Sequence, residues 1–212
     1  MRLQLALDLC TIDEALAMLR EVHDLVDIAE VGTPMILRDG MAAVRAVKGQ
    51  HPTMTVLADL KIIDAGEHEA ALGVEGGADI ITVLGAADDA TIRGAVKAAA
   101  QRKRMVMADM ITIDDVAGRA VELVGLGVDL VCVHTAYDRH VTGADPLEDL
   151  MSLAAQLEPQ QMAVAGGINE EKLMQVRPYE PAVIVVGGAI TSAPDVRQAT
   201  LRLRRIIDHD CQ

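Results

Sequence analysis

The sequence predicts an α/β protein, a single (β/α)8 TIM barrel in which residues 1–212 form one domain. A short apolar run, a polar or glycine junction and an amphipathic helical segment recur along the chain. Strands that alternate with helices of this length form parallel βαβ units. About eight such units follow one another at a spacing of roughly 26 residues, which suits a minimal barrel. A doubly wound open sheet, the competing architecture, more commonly has about five or six strands.

The apolar runs are the predicted strands. In chain order they are LQLALD (3–8), VDIAEVG (26–32), MTVLADLK (54–61), ADIITVLG (78–85), RMVMADMI (104–111), VDLVCVHT (128–135), QMAVAGGI (161–168) and AVIVVGGAI (182–190). The helical segments between and after them are TIDEALAMLREV, GMAAVRAVKGQ, GEHEAALGVEGG, ATIRGAVKAAAQR, DVAGRAVELVGLG, DPLEDLMSLAAQL, EEKLMQVRPY and PDVRQATLRLRRIIDH. Pro194 opens the last segment at a plausible first helical position.

The composition limits the classes of partner. Hydrophobic residues make up 51% of the chain, yet there is no Phe or Trp, so Ala, Val, Ile, Leu and 11 Met must fill the core. The net charge is −13. Nucleic acid and anionic membrane surfaces both need a positive footprint, so neither is expected as a partner.

The cysteines indicate a reducing compartment. Cys10, Cys132 and Cys211 have no metal-like spacing, and their odd number without an evident signal segment is typical of a cytoplasmic protein. No apolar stretch approaches the ~20 residues that span a bilayer. We therefore expect a soluble cytoplasmic protein.

Charged residues stand at the ends of several predicted strands. In such barrels the C-terminal strand ends and the loops after them build the active site. The residues placed there are Asp8, Glu30, Asp59, Lys61, Asp109 and His134, with Asp64 in the loop after the third strand. If the barrel forms, these strand-end side chains converge.

Each of these residues also has a structural interpretation. Asp59 and Lys61 could be a surface ion pair, which contributes about 0–1 kcal/mol. Asp8 could cap the first helix, in competition with Thr11. Asp109 could support other groups or be a satisfied core carboxylate, and a strand histidine such as His134 is often a core group.

The cluster of carboxylates predicts cations. Close carboxylates repel each other, so one would protonate unless a cation lies between them. Lys61 supplies one cation, and Mg²⁺, which takes oxygen ligands, would supply a second near Asp8, Glu30 and Asp59. The chain has no ligand set for zinc. Lys61 could instead form a Schiff base, but flanking Asp residues favour its ammonium form.

Two glycine pairs predict a phosphate site. Gly166–Gly167 and Gly187–Gly188 follow the last two strands, where free backbone N–H groups commonly bind phosphate in this fold. Together with the charged cluster, they suggest a phosphorylated substrate whose enediolate is stabilised by Lys61 and Mg²⁺. His134 is the acid/base candidate, because an ordinary histidine pKa of about 6.5 suits reversible proton transfer.

The motifs resemble a known family. Asp59–Lys61–Asp64 forms a D-x-K-x-x-D run, and ALD, EVGT and the two glycine signatures accompany it. This pattern, which extends along essentially the whole chain, resembles the orotidine-phosphate decarboxylase suprafamily. Within it, the pattern is most similar to the 3-hexulose-6-phosphate synthases, with the 3-keto-L-gulonate-6-phosphate decarboxylases as close relatives.

The resemblance implies a reaction and roles. It implies Mg²⁺-dependent condensation of formaldehyde with ribulose 5-phosphate, with Mn²⁺ as a possible replacement ion. Glu30 and Asp59 would bind the metal, Lys61 would hold the enediolate and His134 would move the proton. The glycine pairs would hold phosphate, with Asp8 and Asp109 also at the substrate. The family also implies a homodimer with shared active sites, in which Asp64 enters the partner's site.

Two positions separate the synthases from the decarboxylases. The decarboxylases typically carry Arg where Tyr137 and Gly188 stand here, which favours the synthase. Tyr137 is unusual for either group, and Arg139, two positions further, leaves decarboxylase activity possible. The decarboxylase therefore stays an alternative.

Other functions fit less well. A ribulose-phosphate epimerase would need His ligands where Glu30 and Asp59 stand, and orotidine phosphate decarboxylation would need Lys in place of Glu30. A catalytically silent phosphate-binding barrel would gain nothing from keeping buried charges.

Overall fold

The computed structural model describes residues 1–140 and 145–208 and has eight parallel strands that close into a barrel in chain order. The predicted (β/α)8 fold is confirmed, and every predicted strand is present. The strands are β1 (Arg2–Leu7), β2 (Ile28–Val31), β3 (Thr55–Ile62), β4 (Ile80–Leu84), β5 (Met105–Asp109), β6 (Leu130–His134), β7 (Met162–Ala165) and β8 (Val183–Val186). β8 pairs with β1, which closes the sheet and leaves no edge.

Helices surround the barrel. They are α1 (Ile12–Val22), α2 (Thr33–Asp39), α3 (Met41–Gln50), α4 (Gly66–Glu75), α5 (Asp89–Gln101), α6 (Val116–Gly125), α7 (Tyr137–His140), α8 (Leu147–Ala154), α9 (Glu170–Val176), α10 (Gly188–Thr191) and α11 (Val196–Ile207). The short helices α2, α7 and α10 were not expected from the sequence. Pro194 is not the first helical residue, because Asp195 caps α11 through its bond to the Gln198 N–H.

The N-cap of α1 is Thr11, so Asp8 does not cap this helix. Thr11 caps α1: its hydroxyl accepts from the Glu14 N–H, and the Glu14 carboxylate accepts from the Thr11 N–H. This reciprocal capping box satisfies the start of the helix without Asp8. Asp8 is therefore available to the cavity at the end of β1.

The apolar side chains form two cores. One lies between the strands and the surrounding helices and includes most of the buried Leu, Val and Ala residues. The other fills the barrel interior with inward-facing strand residues such as Ile28, Leu57, Met107 and Leu130. Small and branched side chains thus fill the barrel below its C-terminal end, where the polar residues begin.

Aspartate carboxylates accept backbone hydrogen bonds at the N-terminal end of the barrel. Asp79, just before β4, accepts from the Val56 N–H at 2.9 Å and pairs with Lys48 Nζ at 2.7 Å. Two other aspartates that stand just before strands act in the same way. Asp27, before β2, accepts from the Leu3 N–H, and Asp129, before β6, accepts from the Val106 N–H. These carboxylates stabilise the end opposite the cavity, as is usual for this fold.

Two of the three cysteines lie in the described part of the chain. Cys10 is half-buried and Cys132 is buried, and both are free thiols; Cys211 lies outside the described residues. Among the helices of the described ranges, none has the length and apolar character needed to cross a bilayer.

Candidate active site

A cavity of about 780 Å³ opens at the C-terminal end of the barrel. The structure brings nearly all of the predicted site residues to its walls. Those that line it are Asp8, Glu30, Asp59, Lys61, Asp109, His134, Gly166, Gly167, Gly187 and Gly188.

Lys61 lies between two buried carboxylates. Its Nζ is 3.0 Å from Asp59 Oδ2 and 2.5 Å from Asp109 Oδ2. Burial alone would lower the pKa of Lys61, but the charges of Asp59 and Asp109 outweigh burial and raise it. Lys61 is therefore a fixed ammonium group rather than a neutral amine. Because both of its aspartate partners are buried, Asp59 and Lys61 are not a surface ion pair.

Asp109 connects Lys61 to His134. Its Oδ2 is also 2.9 Å from His134 Nδ1, and its Oδ1 accepts from the Ile111 N–H. Burial would raise the pKa of Asp109, but His134 and Lys61 together lower it to about 2. Asp109 thus lies where it can accept a proton from His134 Nδ1. In the tautomer that carries its proton on Nδ1, Nε2 is the ring's basic nitrogen.

Asp59 is held on both of its oxygens by hydroxyl groups. Thr33 Oγ1 donates to Oδ2 at 2.7 Å, and Thr82 Oγ1 donates to Oδ1 at 2.8 Å. Sequence reasoning did not single out either threonine. Thr82 follows the inward-facing Ile80 by two positions on β4, so a polar residue at an inward position was the available signal.

Glu30 accepts a hydrogen bond from Gln4, another residue that the sequence analysis did not single out. Gln4 Nε2 donates to Glu30 Oε2 at 2.6 Å, and both side chains are buried. Burial, followed by the charges of Asp59 and Asp8, raises the pKa of Glu30 well above its usual range. Gln4 Oε1 is the one buried side-chain polar atom without a hydrogen-bond partner among the described residues.

Asp8 extends over the end of β2. A Cβ at Gly32 would lie only 2.0 Å from Asp8 Oδ1, so the glycine is what allows this approach. Burial, followed by the negative charge of Asp59, raises the pKa of Asp8. Asp8, Glu30 and Asp59 thus form an acidic cluster, and the positive charge of Lys61 opposes the rise in the pKa values of Asp8 and Glu30.

This region suits a hard divalent cation. Burial and the neighbouring carboxylates raise the pKa values of Asp8 and Glu30, so an added cation would favour their ionised forms. Among the described residues, no three acidic, His or Cys side chains form a group that could hold a metal ion. Glu30 and Asp59 supply carboxylate oxygens, the kind of ligand that Mg²⁺ takes, and that ion usually keeps several waters as further ligands.

The two glycine pairs, which follow β7 and β8, line the cavity. Gly166 and Gly167 have φ values of 99° and 66°, in the left-handed region that favours glycine. A Cβ at Gly166 would lie 2.5 Å from the Thr135 carbonyl oxygen, so the chain there is closely packed. Gly188, by contrast, has open space around its Cα.

Three residues lie at the margin of the cavity or outside it. Asp64 is exposed, its Oδ1 accepts from the Ala65 N–H, and it does not line the cavity of its own chain. The strand-end residues converge as expected, but Asp64 does not join them. Tyr137 lines the mouth and is 75% exposed, whereas exposed Arg139 does not line the cavity.

Comparisons with known proteins identify the family. Residues 1–203 match the orotidine 5′-phosphate decarboxylase / HUMPS family. A 3-hexulose-6-phosphate synthase of Bacillus subtilis (strain 168) is 44% identical over 98% of this chain and 99% of its own length. The crystal structure of 3-hexulose-6-phosphate synthase from Salmonella typhimurium superposes with a TM-score of 0.96 at 38% identity, covering 100% of both chains. A 3-keto-L-gulonate-6-phosphate decarboxylase from Vibrio cholerae gives a TM-score of 0.84 at 28% identity, covering 100% of this chain and 99% of its own. The resemblance seen in the motifs is confirmed, and the chain belongs to the orotidine 5′-phosphate decarboxylase / HUMPS family.

Proposed function

We propose that the chain is an aldehyde-lyase, a 3-hexulose-6-phosphate synthase that condenses formaldehyde with ribulose 5-phosphate. The observation that carries the proposal is the Lys61 ammonium held between Asp59 and Asp109, with His134 on the same Asp109 carboxylate. The names of the similar proteins support the same activity.

The first step is removal of a proton from C1 of ribulose 5-phosphate. His134 Nε2 takes this proton, and the C–H electron pair forms the enediolate with the C2 carbonyl. Asp109 keeps the histidine in the required tautomer through Nδ1. Lys61 stabilises the charge that develops on the substrate oxygens, where a preorganised cation contributes most.

The second step forms the carbon–carbon bond. C1 of the enediolate attacks the formaldehyde carbon, and the electron pair of the formaldehyde C=O bond moves to its oxygen. That oxygen takes the proton from His134 Nε2, which returns the histidine to its neutral form. The product is hexulose 6-phosphate, whose new carbon is C1 and whose ketone lies at C3.

Glu30 and Asp59 are our proposed ligands for Mg²⁺, with Mn²⁺ as a possible replacement. When bound, the ion would supply a second positive charge beside the enediolate oxygens. Asp8 lies beside Glu30 and Asp59, and we propose that it binds the substrate. The Gly166–Gly167 and Gly187–Gly188 backbones are proposed to bind the substrate phosphate, since their N–H groups can approach an anion closely.

Loss of CO₂ from 3-keto-L-gulonate 6-phosphate would give an analogous enediolate of a different pentulose 5-phosphate, so one experiment compares both reactions. We expect formaldehyde consumption with ribulose 5-phosphate to have the higher kcat/KM, and chelation by EDTA to abolish turnover until Mg²⁺ is added. Dominant CO₂ release would favour the decarboxylase and direct attention to Arg139. Full activity in EDTA would contradict the metal proposal.

A homodimer in which Asp64 completes the partner's site is also proposed. Its support is the exposed position of Asp64 and the exposed apolar side chains of Leu9 and Ile63, which follow β1 and β3, and of Leu37 in α2. Such apolar surface is typical of protein–protein contacts.

Mixing two inactive variants tests this proposal. Asp64→Asn and Lys61→Met, refolded together, form mixed dimers that contain one complete site. We expect about a quarter of wild-type activity to return, because about half of random dimers are mixed and one of their two sites is complete. No recovery in a demonstrated mixed dimer would contradict the shared site.

A further inference from the structure

Thr82 contacts both members of the Asp59–Lys61 pair through one hydroxyl group. Thr82 Oγ1 accepts from the Lys61 backbone N–H at 2.9 Å and donates to Asp59 Oδ1 at 2.8 Å. Its side chain is buried, with 4% of the residue exposed. A single hydroxyl thus uses both its acceptor and its donor capacity on the reactive end of β3.

The backbone of β3 is irregular at this place. Ala58 pairs with Ile81 and Ile62 with Val83, so β3 has two more residues than β4 between these pairs. Lys61 has a φ of 47°, in the left-handed region that is uncommon for residues other than glycine. Such a conformation persists only where the surroundings hold it.

The Thr82 hydroxyl accepts the hydrogen bond that the Lys61 N–H does not make to β4 where β3 is irregular. The bulge removes Lys61 from the regular β3–β4 pairing, and the threonine hydroxyl gives its backbone N–H an acceptor. A valine at this position would remove that acceptor and also the donor on Asp59 Oδ1. The Lys61 backbone could then relax, which would move Nζ away from Asp59 and Asp109.

We infer that Thr82 is a positioning residue for the reaction: its hydroxyl holds Lys61 in its left-handed conformation and fixes the Asp59 carboxylate beside it. This inference rests on the proposed function. Thr82 acts through Lys61 and Asp59, and the proton transfers assigned to His134 do not involve it.

Three variants test the inference. Thr82→Val removes the hydroxyl at nearly constant shape, and Thr82→Ser keeps it. Thr200→Val is the matched control, since Thr200 is also buried and its hydroxyl donates to the Val196 carbonyl in α11, away from the cavity. Thermal unfolding of all three separates loss of stability from loss of activity.

We expect Thr82→Val to lower kcat by about 10- to 100-fold, the range for a catalytic group displaced by up to 1 Å. Its KM for ribulose 5-phosphate should change little, because the proposed phosphate-binding glycines are untouched. Thr82→Ser should restore most of kcat, and Thr200→Val should keep it. Wild-type kcat in folded Thr82→Val would overturn the inference. If Thr82→Val does not fold, Thr82→Cys, whose thiol is a weaker donor and acceptor, provides the same comparison.

Amide hydrogen exchange of Lys61, followed by NMR, gives a readout that does not depend on activity. Exchange should become about tenfold faster in Thr82→Val and stay near wild type in Thr82→Ser. Unchanged exchange would overturn the inference even if kcat fell. A wild-type protein that does not consume formaldehyde would refute the proposed function, while the exchange comparison would still decide whether Thr82 holds Lys61.

Discussion

Replacing Lys61 with methionine is expected to reduce kcat by about 10³-fold, the upper end of what removing one preorganised oxyanion donor costs. Lys61 Nζ is the cation that the structure fixes between Asp59 and Asp109. Without it, the enediolate charge would develop beside two carboxylates with no ammonium group to balance it. Steady-state formaldehyde consumption with saturating ribulose 5-phosphate and Mg²⁺ measures the loss.

The matched control is Lys48→Met. Lys48 also pairs with an aspartate, Asp79, and the side chains of Lys48 and Lys61 are both 24% exposed. Lys48 lies at the opposite end of the barrel, so its loss should lower stability and leave kcat nearly unchanged. Near-wild-type turnover in folded Lys61→Met, or an equal loss in Lys48→Met, would contradict the role of Lys61.

Replacing His134 with asparagine is expected to lower kcat by about 10²- to 10⁴-fold, the usual contribution of general acid–base catalysis. Asparagine keeps a polar group beside Asp109 but provides no basic nitrogen at the position of Nε2. KM for ribulose 5-phosphate should change less than kcat, because the substitution leaves the glycine pairs that we propose bind phosphate unchanged. A full steady-state analysis separates the two constants.

His51→Asn serves as the control for the histidine variant. His51 lies just after α3 and contacts the His23 ring at a centroid distance of 5.3 Å, outside the cavity. This variant should keep the wild-type kcat. A His134→Asn enzyme with unaltered kcat would exclude His134 as the proton carrier and leave Asp8 as the next candidate base.

The fold and most of the cavity could be predicted because both depend on strand position. Residues at the C-terminal ends of parallel strands must meet in a closed barrel, so placing Asp8, Glu30, Asp109 and His134 required only the strand boundaries. Asp64 is different: its place depends on a loop, and strand periodicity says nothing about where a loop residue points.

Lys61 lies in the cavity, as its position at the end of a strand predicts, but the backbone there is not that of a regular strand. Alternation on a regular strand places Asp59 and Lys61 on one face, and both do line the cavity. The strand is not regular there, however: Lys61 has a left-handed backbone and β3 bulges against β4. The bulge adds two residues, an even number, so the parity of the side chains is preserved.

The neutral polar residues were missed because they lack charge. Thr33, Thr82 and Gln4 contact Asp59 or Glu30, yet each resembles an ordinary residue of an apolar strand or helix start. Their contacts become visible only when the facing strand is placed. A polar residue at an inward strand position was the signal available for Gln4 and Thr82.

Exchange of the C1 hydrogen of ribulose 5-phosphate tests the central claim most directly. In deuterium oxide with Mg²⁺ and no formaldehyde, wild-type protein should replace a C1 hydrogen with deuterium, as seen by NMR, because His134 removes the proton while Lys61 stabilises the enediolate. Lys61→Met and His134→Asn should show little exchange. Absence of exchange in wild-type protein that consumes formaldehyde, or undiminished exchange in both variants, would contradict this mechanism.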